Sequence, residues 1–274
     1  MPNANRPLNI AHRGARSLAP ENTLAAARAA LEIGADMWEL DVAMTADGEL
    51  VLLHDDTLAR TSNAPQVYPD RAPWAVHTFT LDELRKLDFG SWYNETDPFQ
   101  QIAEGHVTPA MQQSYRGEPI PTLRDALIFT RDHHWRVNVE IKDATHTPGD
   151  HDVVEKVVAL IHAVDAADCV IISSFNHAYL SRVKAADPAL PTAALVESHV
   201  ADPVQLVRSL NAQAYHPGRF VIAPEEIPAI RQAGIEVNVW TINDPETMQA
   251  LIQHQASGII TDFPQWLQEI LAKS

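Results

Sequence analysis

Cysteine is almost absent from this chain: Cys169 is the only one among 274 residues. An internal disulfide is therefore excluded, and a zinc site built from several thiolates is excluded with it. Cys169 lies in the apolar run CVIISSF, where we interpret it as a buried small residue. With 46% hydrophobic residues, the chain can still bury a sizeable core.

Basic residues are scarce as well. Lys and Arg number 20 against 36 Asp and Glu, which gives a formal net charge of −16. This balance argues against nucleic acid or an anionic membrane surface as a partner, because both require a basic footprint. A small anionic substrate fits only if cations or a metal ion are concentrated locally.

Long apolar runs are also missing. No run approaches the length needed to span a membrane, and the first residues, MPNANRPLNI, lack the basic and apolar regions of a secretory signal. We therefore expect a cytoplasmic protein with no integral membrane association. The sequence leaves the oligomeric state open.

Short β-branched runs alternate with longer helix-periodic runs along the chain. The strand candidates are residues 8–12, 37–42, 136–141, 169–174, 192–196, 212–216, 236–241 and 258–261. Strands and helices that alternate with short connections predict a parallel sheet. Eight such units predict an α/β fold closed into a (β/α)8 barrel, a TIM barrel, formed as one domain by residues 1–274.

Helix boundaries carry their own signals. Residues 24–33 have helical periodicity and are followed by Gly34. We expect Asn22 to cap this helix, with a side chain that reaches back toward the substrate site as the alternative. Further capping signals precede three other helices, at Thr80 with Glu83, at Asp202 and at Asp244.

One stretch interrupts the alternation after the second predicted strand. Residues 45–48 (TADG) indicate a hairpin turn into residues 49–54, and a short helix is predicted over 81–87. Residues 93–116 are polar, partly aromatic and without clear periodicity. Because loops this long are commonly functional, we predict an insertion subdomain over residues 45–119 that covers the barrel mouth.

Two carboxylates share one face of the second predicted strand. Glu39 and Asp41 are two residues apart, so their side chains point the same way. A solvated strand face would explain one such acid, but two at the end of an apolar strand repel each other unless a cation lies between them. Glu140 and Lys142 repeat the spacing on the third strand, where a local salt bridge is the competing interpretation.

The predicted barrel brings these acids together. The carboxyl ends of barrel strands converge on one mouth, so Glu39, Asp41 and Glu140 are expected to meet there. Oxygen ligands match hard cations, and the predicted cofactor is therefore one divalent cation, Mg²⁺ or Ca²⁺, rather than zinc.

Two histidines and one arginine are placed to act beside these acids. His12 ends the first predicted strand, and His54 follows the run 50–53. A lone histidine is more often structural, but two beside a carboxylate cluster suit a base and an acid in one turnover. Arg13 adds a planar fork that matches phosphate oxygens, with a surface salt bridge as the alternative.

In their order and spacing, these residues closely resemble the glycerophosphodiester phosphodiesterase family. The chain carries the family's motifs HRG (12–14), PENT (20–23), E-x-D (39–41), T-x-DG (45–48), HD-x-x-L-x-RT (54–61), E-x-K (140–142), SSF (173–175), WTIND (240–244) and GIITDFP (258–264). The resemblance covers nearly the whole chain. The departures lie after RTSN (60–63), where APQVYPDRAPWAVH follows, and in a longer stretch over 94–113.

The resemblance implies a TIM barrel with a subdomain inserted after the second strand, and it implies a role for each site residue. By this resemblance, the family's metal ligands correspond to Glu39, Asp41 and Glu140 of this chain. Its acid–base pair corresponds to His12 and His54, and its phosphate clamp corresponds to Arg13. Lys142 looks like the family's second cation on the phosphate. Phe175 and Trp240 look like aromatic walls for the glycerol portion, with core packing as the competing interpretation.

We therefore predict metal-dependent hydrolysis of a small-molecule glycerophosphodiester to sn-glycerol 3-phosphate and an alcohol, with water or the adjacent glycerol hydroxyl as the nucleophile. One alternative is a lysophospholipase D-type phosphodiesterase with an acyl chain held in the insertion. Six aromatic residues there could line such a groove or form a small core: Trp74, Phe79, Phe89, Trp92, Tyr93 and Phe99. The more distant alternative is a non-catalytic barrel that binds a phosphoester.

Overall fold

A closed barrel of eight parallel strands forms the centre of the protein. The structure, a computed structural model, describes residues 6–273. Its strands are β1 (Leu8–Ala11), β2 (Met37–Met44), β3 (Leu50–Leu52), β4 (Val137–Ile141), β5 (Val170–Ser174), β6 (Thr192–Val196), β7 (Ala214–Pro217), β8 (Glu236–Val239) and β9 (Gly258–Thr261). The sheet closes because β1 pairs in parallel with both β2 and β9. The predicted (β/α)8 barrel is thus confirmed.

Helices connect successive barrel strands. They are α1 (Leu24–Ile33), α2 (Ala64–Val67), α3 (Leu81–Leu84), α4 (Ser91–Thr96), α5 (Pro109–Tyr115), α6 (Leu123–Asp132), α7 (Val153–Ala163), α8 (His177–Ala186), α9 (Pro203–Ser209), α10 (Ile227–Gln232), α11 (Pro245–Gln253) and α12 (Pro264–Lys273). Within residues 6–273, no helix has the length and apolar character needed to cross a membrane.

Several strand boundaries differ from the predicted ones by one or two residues. The first and seventh barrel strands end before His12 and Trp240, because these residues already belong to loops at the barrel mouth. Cys169 lies in a 3₁₀ turn ahead of β5 and is only half-buried.

The capping predictions hold at most helices. Asp202 and Asp244 accept hydrogen bonds from the backbone of the first turns of α9 and α11, and Thr80 forms a capping box with Glu83. The prediction for Asn22 is wrong: Thr23 caps α1, accepting from Ala26 N at 3.1 Å. Asn22 instead adopts a positive φ of 56°, which turns its side chain towards β2.

The apolar core has two layers around the barrel wall. Inside the barrel, Ile10, Met37, Ile171 and Ile260 pack together. Outside it, Trp38 stacks on Trp135 with ring centroids 6.0 Å apart. Each strand thus contributes alternate residues to the interior and to the helix interface, which leaves the strand ends free to carry polar groups.

The segment between β2 and α6 begins with an antiparallel strand. β3 pairs with β2 in the register Val42 to Leu52, and the backbone N–H of Leu53 donates to Asp41 O at 3.1 Å. The predicted helix over 81–87 is shorter, since α3 ends at Leu84. Residues 93–116, in which the sequence shows no clear periodicity, contain α5 and the end of α4. A separate subdomain over residues 45–119 stays a prediction.

The aromatic residues of this segment pack into two small apolar clusters. Phe79 and Phe89 are buried in a cluster with Leu84, and Trp74 packs against it. Tyr93 is buried in a second cluster, where its hydroxyl donates to Ser17 O, and the remaining two aromatic residues, Trp92 and Phe99, pack against that cluster. Packing therefore accounts for all six side chains.

Candidate active site

Three buried carboxylates meet at the carboxyl end of the barrel. The register places Asp41 of β2 directly opposite Glu140 of β4, and Glu39 lies two residues earlier on the same face of β2. One oxygen from each of the three residues lies within 4.8 Å of the others. The sequence prediction that these acids converge is met in full.

This clustering alters the ionisation of the three acids. Burial, reinforced by the charges of Asp41 and Glu140, raises the pKa of Glu39 well above its usual range. Burial and the charge of Asp41 likewise raise the pKa of Glu140, against the opposing effect of Lys142. For Asp41, burial acts in the same direction, but Arg13 and Lys142 outweigh it and lower the pKa to about 2. Without a bound cation, full ionisation of all three acids is therefore unfavourable.

Two cations border the cluster. Arg13 donates from its backbone N–H to Glu39 Oε2 at 2.9 Å, and its guanidinium lies 3.3 Å from Asp41. Lys142 Nζ lies 2.9 Å from Glu140 and 3.6 Å from Asp41. The local salt bridge considered for Lys142 therefore exists, and it brings the ammonium group to the carboxylates.

His12 is held by a carboxylate from the other end of the chain. Its Nδ1 lies 2.6 Å from Asp262 Oδ1, and Asn243 donates to the second oxygen of Asp262 at 2.6 Å. An ionised carboxylate only accepts, so Nδ1 carries the proton and Nε2 is left for chemistry. Burial and Arg13 lower the pKa of His12, while Asp262 opposes this shift.

His54 has a carboxylate partner of its own. Its Nδ1 lies 2.7 Å from Oδ1 of Asp55, the next residue. Arg60 binds the same carboxylate through two nitrogens, at 2.6 and 2.9 Å. Hydrogen bonds from His54 and Arg60 hold the pKa of Asp55 far below its usual range. The two imidazoles are thus oriented in the same way by different elements.

A cavity of about 80 Å³ lies between these groups. The residues that line it include His12, Arg13, Glu39, His54 and Glu140 on the polar side, with Phe175 and Trp240 on the apolar side. The two aromatic rings meet edge-to-face at 5.4 Å. The cavity therefore has a polar side that could contact a phosphate and an apolar side that could contact carbon atoms.

Lys142 is the one predicted substrate contact that borders a different space. It lines a second cavity of about 150 Å³ together with Asp56, His77 and Asp143. Neither His12 nor His54 is among the residues that line this larger cavity. The smaller cavity is therefore the candidate active site.

Three residues of the site were assigned no role from the sequence, and a fourth, Asn22, was expected to cap α1. Asp262 and Asp55 orient the histidines, and Asn22 donates to Asp41 at 2.8 Å. Glu21 accepts a hydrogen bond from the guanidinium of Arg13 at 2.9 Å. Two signals were available: Asp55 follows His54 directly, and Asp262 directly follows the last strand, which pairs with the first strand in any closed barrel.

Carboxylates, paired imidazoles and a buried arginine at the mouth of a TIM barrel define an enzyme site suited to a phosphate ester. Comparison with known proteins makes this class specific. The profile of the glycerophosphoryl diester phosphodiesterase family matches residues 12–266. The chain belongs to this family and is accordingly a phosphodiesterase.

Individual relatives agree. The chain is 36% identical to a glycerophosphodiester phosphodiesterase of Caldanaerobacter subterraneus over 267 residues, covering 97% of this chain and 98% of that protein. An Oleispira antarctica phosphodiesterase solved with the product sn-glycerol-3-phosphate superimposes with a TM-score of 0.82 at 27% identity, covering 98% of each chain. A glycerophosphodiester phosphodiesterase of Agrobacterium tumefaciens gives a TM-score of 0.73 at 25% identity, covering 95% of this chain and 98% of that one.

Proposed function

We propose that the protein hydrolyses glycerophosphodiesters to sn-glycerol 3-phosphate and an alcohol, with one divalent cation, Mg²⁺ or Ca²⁺. The observation that carries this proposal is the arrangement of two carboxylate-oriented histidines beside three clustered acids around one small cavity. The product complex of the Oleispira relative supports the same substrate class.

The acid cluster fits a hard cation. The atoms that it offers to a metal are all carboxylate oxygens. Among the residues that the structure describes, Glu39 Oε1 is buried without a hydrogen-bond partner. An unpartnered buried carboxylate oxygen is costly unless a cation satisfies it. Glu39, Asp41 and Glu140 would hold the ion. When bound, it would supply positive charge to phosphoryl oxygens as negative charge develops on them.

The two histidines divide the proton transfers. One imidazole removes the proton of the nucleophile, and the other protonates the oxygen of the leaving alcohol. Asp262 and Asp55 keep the rings in the tautomer that presents Nε2. The low pKa of His12 keeps that ring neutral at pH 7, which is the state a base requires.

The remaining predicted residues bind the substrate. Arg13 brings one positive charge to the phosphate from the wall of the cavity. Lys142 borders the neighbouring cavity, but its contacts with Glu140 and Asp41 add a second positive charge at the acid cluster. Phe175 and Trp240 form the apolar wall opposite the acids, where the carbon skeleton of glycerol packs.

Two nucleophiles fit this arrangement, water and the adjacent glycerol hydroxyl. Attack by the hydroxyl passes through a cyclic glycerol phosphate, whereas attack by water does not. Phosphorus NMR during turnover separates them, because the cyclic phosphate has its own resonance.

The test of this function combines two variants with chelation. H12A and H54A should each lower kcat for glycerol 3-phosphate release by about 10²–10⁴-fold, the range of an acid–base group. Chelation should abolish activity of the unmodified protein, and Mg²⁺ or Ca²⁺ should restore it. Full turnover by either histidine variant, or activity that resists chelation, contradicts the corresponding assignment.

The lysophospholipid alternative has less support. The aromatic residues that would line an acyl groove pack instead against apolar clusters of the protein itself. We therefore expect glycerophosphocholine to be hydrolysed with a higher kcat/KM than lysophosphatidylcholine. The opposite order in a direct comparison would reinstate the acyl-binding interpretation.

A further inference from the structure

Glu21 is a buried acid that the proposed reaction does not use, yet it contacts three arginines. Its carboxylate accepts from Arg13 at 2.9 Å, from Arg16 at 2.7 Å and from Arg60 at 2.7 and 3.0 Å. Burial opposes its ionisation, but Arg60, Arg13 and Arg16 together hold its pKa far below the usual range. Glu21 is therefore a permanent anion at the centre of an arginine cluster.

One arginine extends this cluster to His54. The guanidinium of Arg60 binds Glu21 on one side and both oxygens of Asp55 on the other. Asp55 in turn accepts the Nδ1 proton of His54. The planar fork of an arginine fixes the geometry of both carboxylates that it bridges.

A second arginine extends it to His12. Arg16 donates to Glu21 at 2.7 Å, and its other terminal nitrogen lies 3.5 Å from Asp262, the partner of His12. This connection is longer than the one through Arg60, and Asp262 has independent support from Asn243. Glu21 therefore acts more strongly on His54 than on His12.

Both connecting arginines are covered by aromatic rings from the segment between β2 and α6. The guanidinium carbon of Arg16 lies 5.2 Å from the ring centre of Phe99, and that of Arg60 lies 5.9 Å from Trp92. Such cation–π contacts hold a guanidinium in one plane. An arginine cluster that only held loops together would not require Arg16 and Arg60 to contact the two carboxylates that orient His12 and His54.

We propose that Glu21 is a positioning residue, which holds both histidine–carboxylate pairs at the cavity through Arg16 and Arg60. The proposal rests on the catalytic roles given above to His12 and His54. It assigns Glu21 no contact with substrate.

The first test is E21Q, which keeps the size of the side chain and removes its charge. Loss of a group that orients a reactive residue commonly costs about 10–100-fold, and we expect kcat to fall by this factor. KM should stay unchanged or fall, because removing an anion leaves the arginines more attractive to a phosphodiester. A matched control is E155Q, which removes a carboxylate from the bidentate pair with Arg182 on the surface and should leave kcat unchanged.

A second variant keeps the proposal testable if E21Q fails to fold. R60Q changes a side chain that is 41% exposed, so folding should tolerate it. It should lower kcat and alter the ¹⁵N resonances of the His54 ring, with those of His12 unchanged. The resonances of each ring are assigned by their loss in H54Q or H12Q. This NMR measurement needs neither substrate nor metal.

Two results would overturn the proposal: normal kcat in E21Q, whatever its KM, or unaltered His54 resonances in R60Q. Failure of the proposed function is distinct from these, since the unmodified protein would then release no glycerol 3-phosphate.

Discussion

Nδ1 of His12 lies 2.6 Å from Oδ1 of Asp262, although the two residues are 250 positions apart in the chain. The register of the closing strands produces this contact. Ala11 of β1 is opposite Thr261 of β9, so the residues that follow them leave the barrel side by side. The orientation of one proposed catalytic group is thus a direct consequence of barrel closure.

Replacing Asp262 should impair the chemistry more than the fold. In D262N the amide no longer enforces an Nδ1-protonated ring, and we expect kcat to fall by about 10²-fold, at the lower end of what an acid–base group contributes. Steady-state hydrolysis of glycerophosphocholine measures this effect. D202N is the control, because Asn caps α9 as well as Asp does, and an equal loss of activity in both variants would contradict the prediction.

Removing the charge of Glu39 should stabilise the metal-free protein while it abolishes metal binding. Burial and two neighbouring acids raise the pKa of Glu39, so the neutral amide in E39Q should increase the unfolding free energy of the metal-free protein. Added Mg²⁺ or Ca²⁺ should raise the melting temperature of the unmodified protein but not of E39Q. E49Q, at an exposed acid, should behave like the unmodified protein. A metal-induced shift that survives in E39Q would remove this residue from the ligand set.

The buried His216 should make stability depend on pH. Burial lowers its pKa to about 3, so the folded protein keeps the ring neutral while the unfolded chain takes up a proton below about pH 6.5. Stability is therefore lost as the pH falls through 6.5, by about 2 kcal/mol between pH 7.5 and pH 5. Urea unfolding at these two values measures the change.

The comparison that isolates His216 uses H216Q. Gln can accept the hydrogen bond that Asn238 donates at 2.8 Å, but it does not titrate, so the loss at pH 5 should be smaller by about 2 kcal/mol. H199Q, at an exposed histidine, should retain the full pH dependence. Identical slopes for H216Q and the unmodified protein would contradict the assignment.

Gly14 should resist substitution for steric reasons. Its φ is +80°, and a Cβ would lie 2.6 Å from Cβ of Ala26 and 2.7 Å from its carbonyl carbon. We expect G14A to cost about 2–5 kcal/mol, the sum of backbone strain and overpacking. G105A shares the φ of +80° but meets no atom within 4 Å, so it should show the backbone cost alone. Denaturant unfolding of the two variants separates these contributions.

The sequence was sufficient for the barrel and for the residues at its mouth. Short runs of β-branched residues located the strands, and the carboxyl-end rule then brought Glu39, Asp41 and Glu140 together. These inferences succeeded because strand register and side-chain direction are set by local pattern.

The partners of those residues were harder to infer. The sequence analysis assigned Asp55 no role, although it orients His54, because a short polar run does not specify which neighbour a carboxylate contacts. The capping role expected of Asn22 belongs to Thr23, since a positive φ at Asn22 depends on the contact with Asp41. Hydrogen bonds of this kind depend on tertiary packing, which single-sequence patterns do not contain.

The pairing of β1 with β9 also has a consequence for synthesis on the ribosome. The carboxylates of β2 and β4 are translated in the first 140 residues, but the partner of His12 is added only with the final strand. Until residue 262 has emerged from the ribosome, His12 therefore lacks the carboxylate that orients it. Phosphodiesterase activity should therefore appear only after the last barrel strand has docked.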